Sequence, residues 1–148
     1  MPNRAPEPTP TPTSEPSSSP SSESPSVSAT ALRTSLALPE LLAQAQRSDF
    51  AWTRLRVDVE EHRLYGDGAA GGPVASVLRY APGARVPYHR HEGYEHVYVL
   101  SGSQRDRRGT YRTGTLVINP PGTSHEVFSD DGCIVLLIWE RPVVFVEP

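Results

Sequence analysis

The sequence predicts an all-β sandwich or barrel, and three observations carry the prediction. Beyond residue 50 the chain breaks into about eight short runs rich in β-branched and aromatic residues, several of them alternating apolar with polar. Turn residues, mainly Gly, Pro and Asp, separate these runs at regular spacing. Helical periodicity is confined to one stretch, "LPELLAQAQRS", where Leu38, Leu41, Leu42 and Ala45 form an apolar stripe.

That stretch predicts a short helix over residues 38–47. Pro39 suits its first turn and Glu40 its positive end, and the stripe predicts packing on the outside of the domain. "TRLRVDVEEHRLYG" then reads as strand ending at Gly66, "GDGAAGG" as loop, "PVASVLRYA" as strand and "PGA" as turn. "RVPYHRH" is extended, with Pro87 marking an edge or a bend. "EHVYVLSGSQ" is a strand, "RDRRG" a turn, and "TYRTGTLVINP" a strand interrupted by Gly114. Pro121 followed by Gly122 suits a type II turn, after which "SHEVFS" begins a strand. The seven-residue run "CIVLLIW" fits a strand buried on both faces, and "PVVFV" adds a final edge strand.

Residues 1–34 differ in kind. "EPTPTPTSEPSSSPSSESPS" has almost nothing apolar to bury, so it cannot offset the entropy of ordering and is expected to be a disordered Pro/Ser/Thr-rich tail. It lacks the basic start and apolar centre of a secretory signal. The expected domain is therefore residues 35–148, with the barrel over about residues 53–146.

Charge and cysteine usage narrow the function classes. The net charge is −3, and the 14 basic residues, all arginine, are scattered. That argues against nucleic acid as a partner; the one cluster, "RDRRGTYR", reads as a solvated hairpin tip. No apolar run approaches the length of a membrane span. A single cysteine, Cys133, precludes an internal disulfide and suits a reducing cytoplasm.

The chemistry concentrates in "YHRHEGYEH". His89 and His91 are two apart, so on a strand they face the same side about 6.6–6.8 Å apart, close enough to converge on one ion. A bend at Gly93 returns Glu95 to the same point; a bend elsewhere lets Glu92 compete. The fourth ligand must come from another strand, and His125, just after the "PPGTS" turn, is well placed. Three imidazoles and one carboxylate on an octahedral ion leave two positions for water, dioxygen or a bidentate substrate.

These residues resemble the two motifs of the cupins, G-x5-H-x-H-x3-4-E-x6-G and G-x5-P-x-G-x2-H-x3-N. "GARVPYHRHEGYEHVYVLSG", from Gly83 to Gly102, matches the first at every fixed position. "GTLVINPPGTSHEVFS" matches the second at Gly114, Pro120, Gly122 and His125, with Ser129 in place of the terminal Asn. The resemblance implies a double-sheet jelly roll, also described as a double-stranded β-helix. It also implies one divalent transition metal ion (Fe, Mn, Zn or Ni) at His89, His91, Glu95 and His125, a small-molecule ligand, and a homodimer formed through an apolar edge such as "PVVFV". More narrowly, residues 91–133 resemble the C-terminal cupin of ChrR-type zinc anti-sigma factors. Residues 1–50 contain no His and no Cys, so the expectation is a stand-alone cupin without their zinc-binding, sigma-holding module.

Other residues read more plainly. His96, beside Glu95, faces away from the ligands, and His62 reads as a surface residue. Tyr88, Tyr94 and Tyr98 read as packing between sheets, Cys133 as a small buried hydrophobe, and the motif glycines and prolines as turn chemistry. A cupin fold does not fix a reaction. Three classes remain: a metal-dependent enzyme of dioxygenase type, a non-catalytic sensory or ligand-binding module, and a storage or structural role, against which the small size and lack of repeats argue.

Overall fold

The computed structural model describes residues 34–68 and 71–147; all but the last residue of the expected tail lies outside the described residues. Among the described residues there are ten strands and one helix: α1 (Leu41–Ala45), β1 (Thr53–Arg56), β2 (Val59–Tyr65), β3 (Val74–Tyr80), β4 (Ala84–Arg90), β5 (Glu95–Asp106), β6 (Gly109–Arg112), β7 (Leu116–Asn119), β8 (Ser124–Ser129), β9 (Cys133–Trp139) and β10 (Val144–Phe145). The prediction of an all-β jelly roll is met.

Every strand pair is antiparallel, and two sheets share one long strand. The first half of β5 pairs with β7 and β9, and β9 continues to β3, β2 and β1. Its second half pairs with β6 and touches β8, which leads to β4 and β10. The two layers enclose a core of Val59, Leu78, Tyr80, Ala84, Val97, Val99, Val117, Cys133, Val135 and Leu137. A second cluster lies outside the larger sheet, where α1 buries Ala45 against Val77 and Ile134. The run "CIVLLIW" is not buried throughout: Cys133, Ile134, Val135 and Leu137 are buried, whereas Leu136, Ile138 and Trp139 are only partly covered.

The helix is shorter than the residue 38–47 expectation. Glu40 takes a left-handed conformation (φ 51°), so the helix begins after it, and its side chain makes no cap hydrogen bond. The tyrosines also depart from expectation. Tyr94 and Tyr98 are exposed, because their alternation with Glu95 and Val97 points them out of the barrel rather than toward another sheet. His62 is half-buried rather than a surface residue: its Nδ1 lies 2.8 Å from the Ala51 carbonyl and its ring packs 4.2 Å from Phe50.

Gly102 is not a turn residue. It lies inside β5 with φ 74°, beside a bulge between Val99 and Ser101. The bulge shifts the strand's phase. Residues 95, 97 and 99 face the interior before it, and residues 104 and 106 after it.

Candidate metal centre

β4 carries a bulge between Val86 and His89, at Pro87, which aims His89 into the barrel. His89 is the direct cross-strand partner of His125 on β8. His91 follows the end of β4 and is held by main-chain bonds to the turn before β8: its N–H donates to the Thr123 carbonyl, and its carbonyl accepts from the Gly122 N–H. That turn matches the type II expectation, with Gly122 at φ 83° and Thr123 N–H donating to the Pro120 carbonyl. The chain then bends through Glu92 and Gly93, and Glu95 opens β5. Gly93 is needed there, since a Cβ would stand 2.9 Å from that of Glu140.

The structure thus brings together all four residues singled out in the sequence. His89, His91, Glu95 and His125 are buried, and their donor atoms lie within 4.8 Å of one another. The three imidazole centroids are 5.2, 4.7 and 4.9 Å apart, each pair edge-on. His96 and Glu92 stay outside this cluster.

Hydrogen bonding fixes how each ring faces. His89 Nδ1 lies 2.8 Å from the Pro87 carbonyl, and His91 Nδ1 lies 3.0 Å from the Thr123 carbonyl. A carbonyl only accepts, so each Nδ1 carries the proton. His125 Nδ1 lies 3.0 Å from Asp106 Oδ2, a carboxylate held well ionised, which fixes the same tautomer. The neutral rings therefore turn an Nε2 lone pair inward. His91 Nε2 and His125 Nε2 are buried with no hydrogen-bond partner. Yet Glu95 Oε2 lies 3.1 Å from the first and 3.9 Å from the second. Lone pairs facing a carboxylate call for a cation between them. Donors bound at about 2.1 Å and at right angles stand about 3.0 Å apart, so the residues present fit a metal ion with small adjustment.

The sequence reading missed the next layer. Asn119, fully buried on β7, donates from Nδ2 to Glu95 Oε2 at 2.8 Å. Asp106 accepts from the Tyr111 hydroxyl (3.0 Å), the Arg108 main chain (2.7 Å) and the Arg108 guanidinium as well as from His125. The arginines of the "RDRRG" tip are exposed, as expected of a hairpin tip, and Asp106 is its one buried residue. Ser129, at the position where the motif has Asn, is buried and donates to the Ser103 carbonyl at 2.7 Å, so that local bond is made.

Burial holds His89 and His125 below their ordinary value of 6.5. Burial alone would raise Glu95, but the polar groups facing it, among them the donating amide of Asn119, hold the carboxylate below its usual range. All these shifts act in one direction on stability. As pH falls through about 6.5, the unfolded chain takes up protons that the folded imidazoles refuse, and below about 4.3 the carboxylates add to the effect. The metal-free protein is expected to be most stable above about pH 7 and to lose melting temperature on acidification, measured by circular dichroism. A flat profile between about pH 7 and 5 would contradict neutral buried imidazoles.

Comparisons with known proteins agree with this fold. No curated protein matches the sequence. The anti-sigma ChrR in its complex with Rhodobacter sphaeroides SigE is 25% identical (TM-score 0.56), over 72% of this chain and 70% of that one. An acetylacetone dioxygenase from Acinetobacter johnsonii is 14% identical (TM-score 0.60), over 69% and 76%. A cupin-like protein of unknown function from Ralstonia eutropha JMP134 is 21% identical (TM-score 0.55), and this chain spans only 59% of its length. A family model described as "ChrR Cupin-like domain" matches residues 42–142. With the jelly roll, the buried His-His-Glu-His cluster and a match over more than half of its length, the chain belongs to the ChrR cupin-like domain family.

Proposed function

We propose that this protein binds one divalent transition metal ion through His89, His91, Glu95 and His125 and presents it to a small molecule with oxygen donors. The observation that carries the reading is the tautomer set: each imidazole is locked at Nδ1, His91 and His125 turn Nε2 toward Glu95, and His89 offers its own donor to the same cluster. A bound ion would supply Lewis-acid chemistry and, were it iron, redox chemistry. Pro87, Thr123 and Asp106 orient the rings, and Asn119 holds the carboxylate. Trp139 lies directly across from Glu95 on β9, and its buried indole Nε1–H has no partner among the described residues.

We favour a metalloenzyme of dioxygenase type; the fold shared with an acetylacetone dioxygenase is compatible with it. The second reading, a sensory module, draws support from the family match to the ChrR cupin. Metal analysis followed by oxygen-uptake assays with diketones, phenols and thiols separates them. The expected result is about one metal per chain and turnover of a ligand class. Stoichiometric metal without turnover over a broad panel favours the sensor, and folded protein that takes up no metal overturns both.

We also read the protein as a cytoplasmic homodimer. The buried thiol of Cys133, pushed up to about 11 by burial, suits a reducing compartment. Val144 and Phe145 stay exposed on the edge strand β10, and Leu116 and Ile118 stay exposed on β7, so two apolar surfaces are open to a second copy. Light scattering should give twice the 16.2 kDa chain mass; the monomer mass would refute the dimer.

A further inference from the structure

We infer that Arg108 is a positioning residue that locks Glu95 and His125 into one geometry. The inference rests on the metal-binding reading above. A guanidinium only donates. Arg108 Nη2 donates to Asp106 Oδ2 at 2.6 Å and to Asn119 Oδ1 at 2.9 Å, and Nε donates to Asp106 Oδ2 at 2.9 Å. The first branch clamps the carboxylate that orients His125.

The second branch sets the Asn119 amide. Arg108 can satisfy only the amide oxygen, so the NH2 must turn to Glu95 Oε2, which can only accept. Were the amide reversed, its oxygen would face the carboxylate. The result is one unbroken path, Glu95–Asn119–Arg108–Asp106–His125, joining a residue of the larger sheet to one of the smaller. An exposed ion pair is ordinarily worth little. Here the Arg108 side chain is 49% exposed but its Asp106 partner only 1%, and Asn119 is fully buried, so the arginine reaches from the hairpin into the second layer of the site. A glutamine at this position can donate or accept, and so would no longer dictate the amide orientation.

The test uses Co²⁺ alone as probe, with the full-length chain carrying Arg108→Gln or Arg108→Lys. Three quantities are read: Co²⁺ affinity by chelator competition, the visible ligand-field spectrum of the loaded protein, and the melting temperature of the metal-free protein. Arg108→Gln is expected to weaken Co²⁺ binding about 10-fold and shift the spectrum. Arg108→Lys, still a donor only, should recover part of both. In an Asn119→Ala background the Arg108→Gln effect should shrink, because one branch is already cut. Unchanged affinity and spectrum in Arg108→Gln would overturn the proposal. So would an affinity loss matched by a large fall in metal-free melting temperature and not rescued by lysine, the mark of a purely structural role. Wild-type protein that binds no Co²⁺ would overturn the metal reading itself, and this one with it.

Discussion

His91→Ala and His125→Ala are each expected to lower metal affinity by more than about 100-fold, beyond the 10–100-fold that loss of an outer-layer partner brings. The reason lies in the crowding around Glu95 Oε2. Its nearest imidazole nitrogens are His91 Nε2 at 3.1 Å and His125 Nε2 at 3.9 Å, and both are buried without a hydrogen-bond partner. Removing either ring leaves an open corner and two imidazoles. In the wild type, added metal should raise the melting temperature, since an ion that binds only the folded state stabilises it by mass action, about 4 kcal/mol at a thousand times Kd. In the variants that rise should shrink to about a third or less. Plasma emission spectrometry of the purified proteins and melts with and without Co²⁺ or Fe²⁺ measure both effects. Variants that keep stoichiometric metal and the full thermal shift would show that the ion lies elsewhere.

The second large effect concerns stability alone. Gly102→Ala is expected to destabilise the protein by about 3 kcal/mol or more, a fall in melting temperature of about 10 °C or more. A left-handed φ already costs a residue with a Cβ about 1 kcal/mol. At φ 74° that Cβ would also stand 2.2 Å from the Gly132 carbonyl oxygen and 2.9 Å from the Cys133 Cα. Both obstacles are main chain, so β5 and β9 must separate to admit a methyl group. Gly114, where a Cβ meets nothing within 4 Å, is the control: alanine there bears only the conformational cost. Chemical denaturation of the two variants compares them directly. Equal losses would refute the close approach at Gly102.

These cases show how far the sequence could be read. Two motifs with the right spacing place His89, His91, Glu95 and His125 in order along the chain, and alternation about Glu95 excludes His96. The short apolar runs and regular turns indicate two antiparallel sheets, since such runs bury one face only when layered. Position relative to a neighbour is local information, and a single chain carries it.

Asp106, Arg108 and Asn119 were not legible, and the bulge at Gly102 is the physical reason. Counted by twos from Glu95, Asp106 falls on the outward face; the bulge reverses the phase and turns it inward onto His125. Asn119 becomes significant only because β7 pairs with β5 in the register that sets it opposite Glu95. Arg108 looks like one more charge on a hairpin until the second sheet closes beneath it. The sequence by itself determined which residues meet, because strand alternation and turn chemistry act over a few positions. The tertiary structure alone decided what holds them there, because one inserted residue in a strand and the pairing of distant strands set which polar groups share the interior.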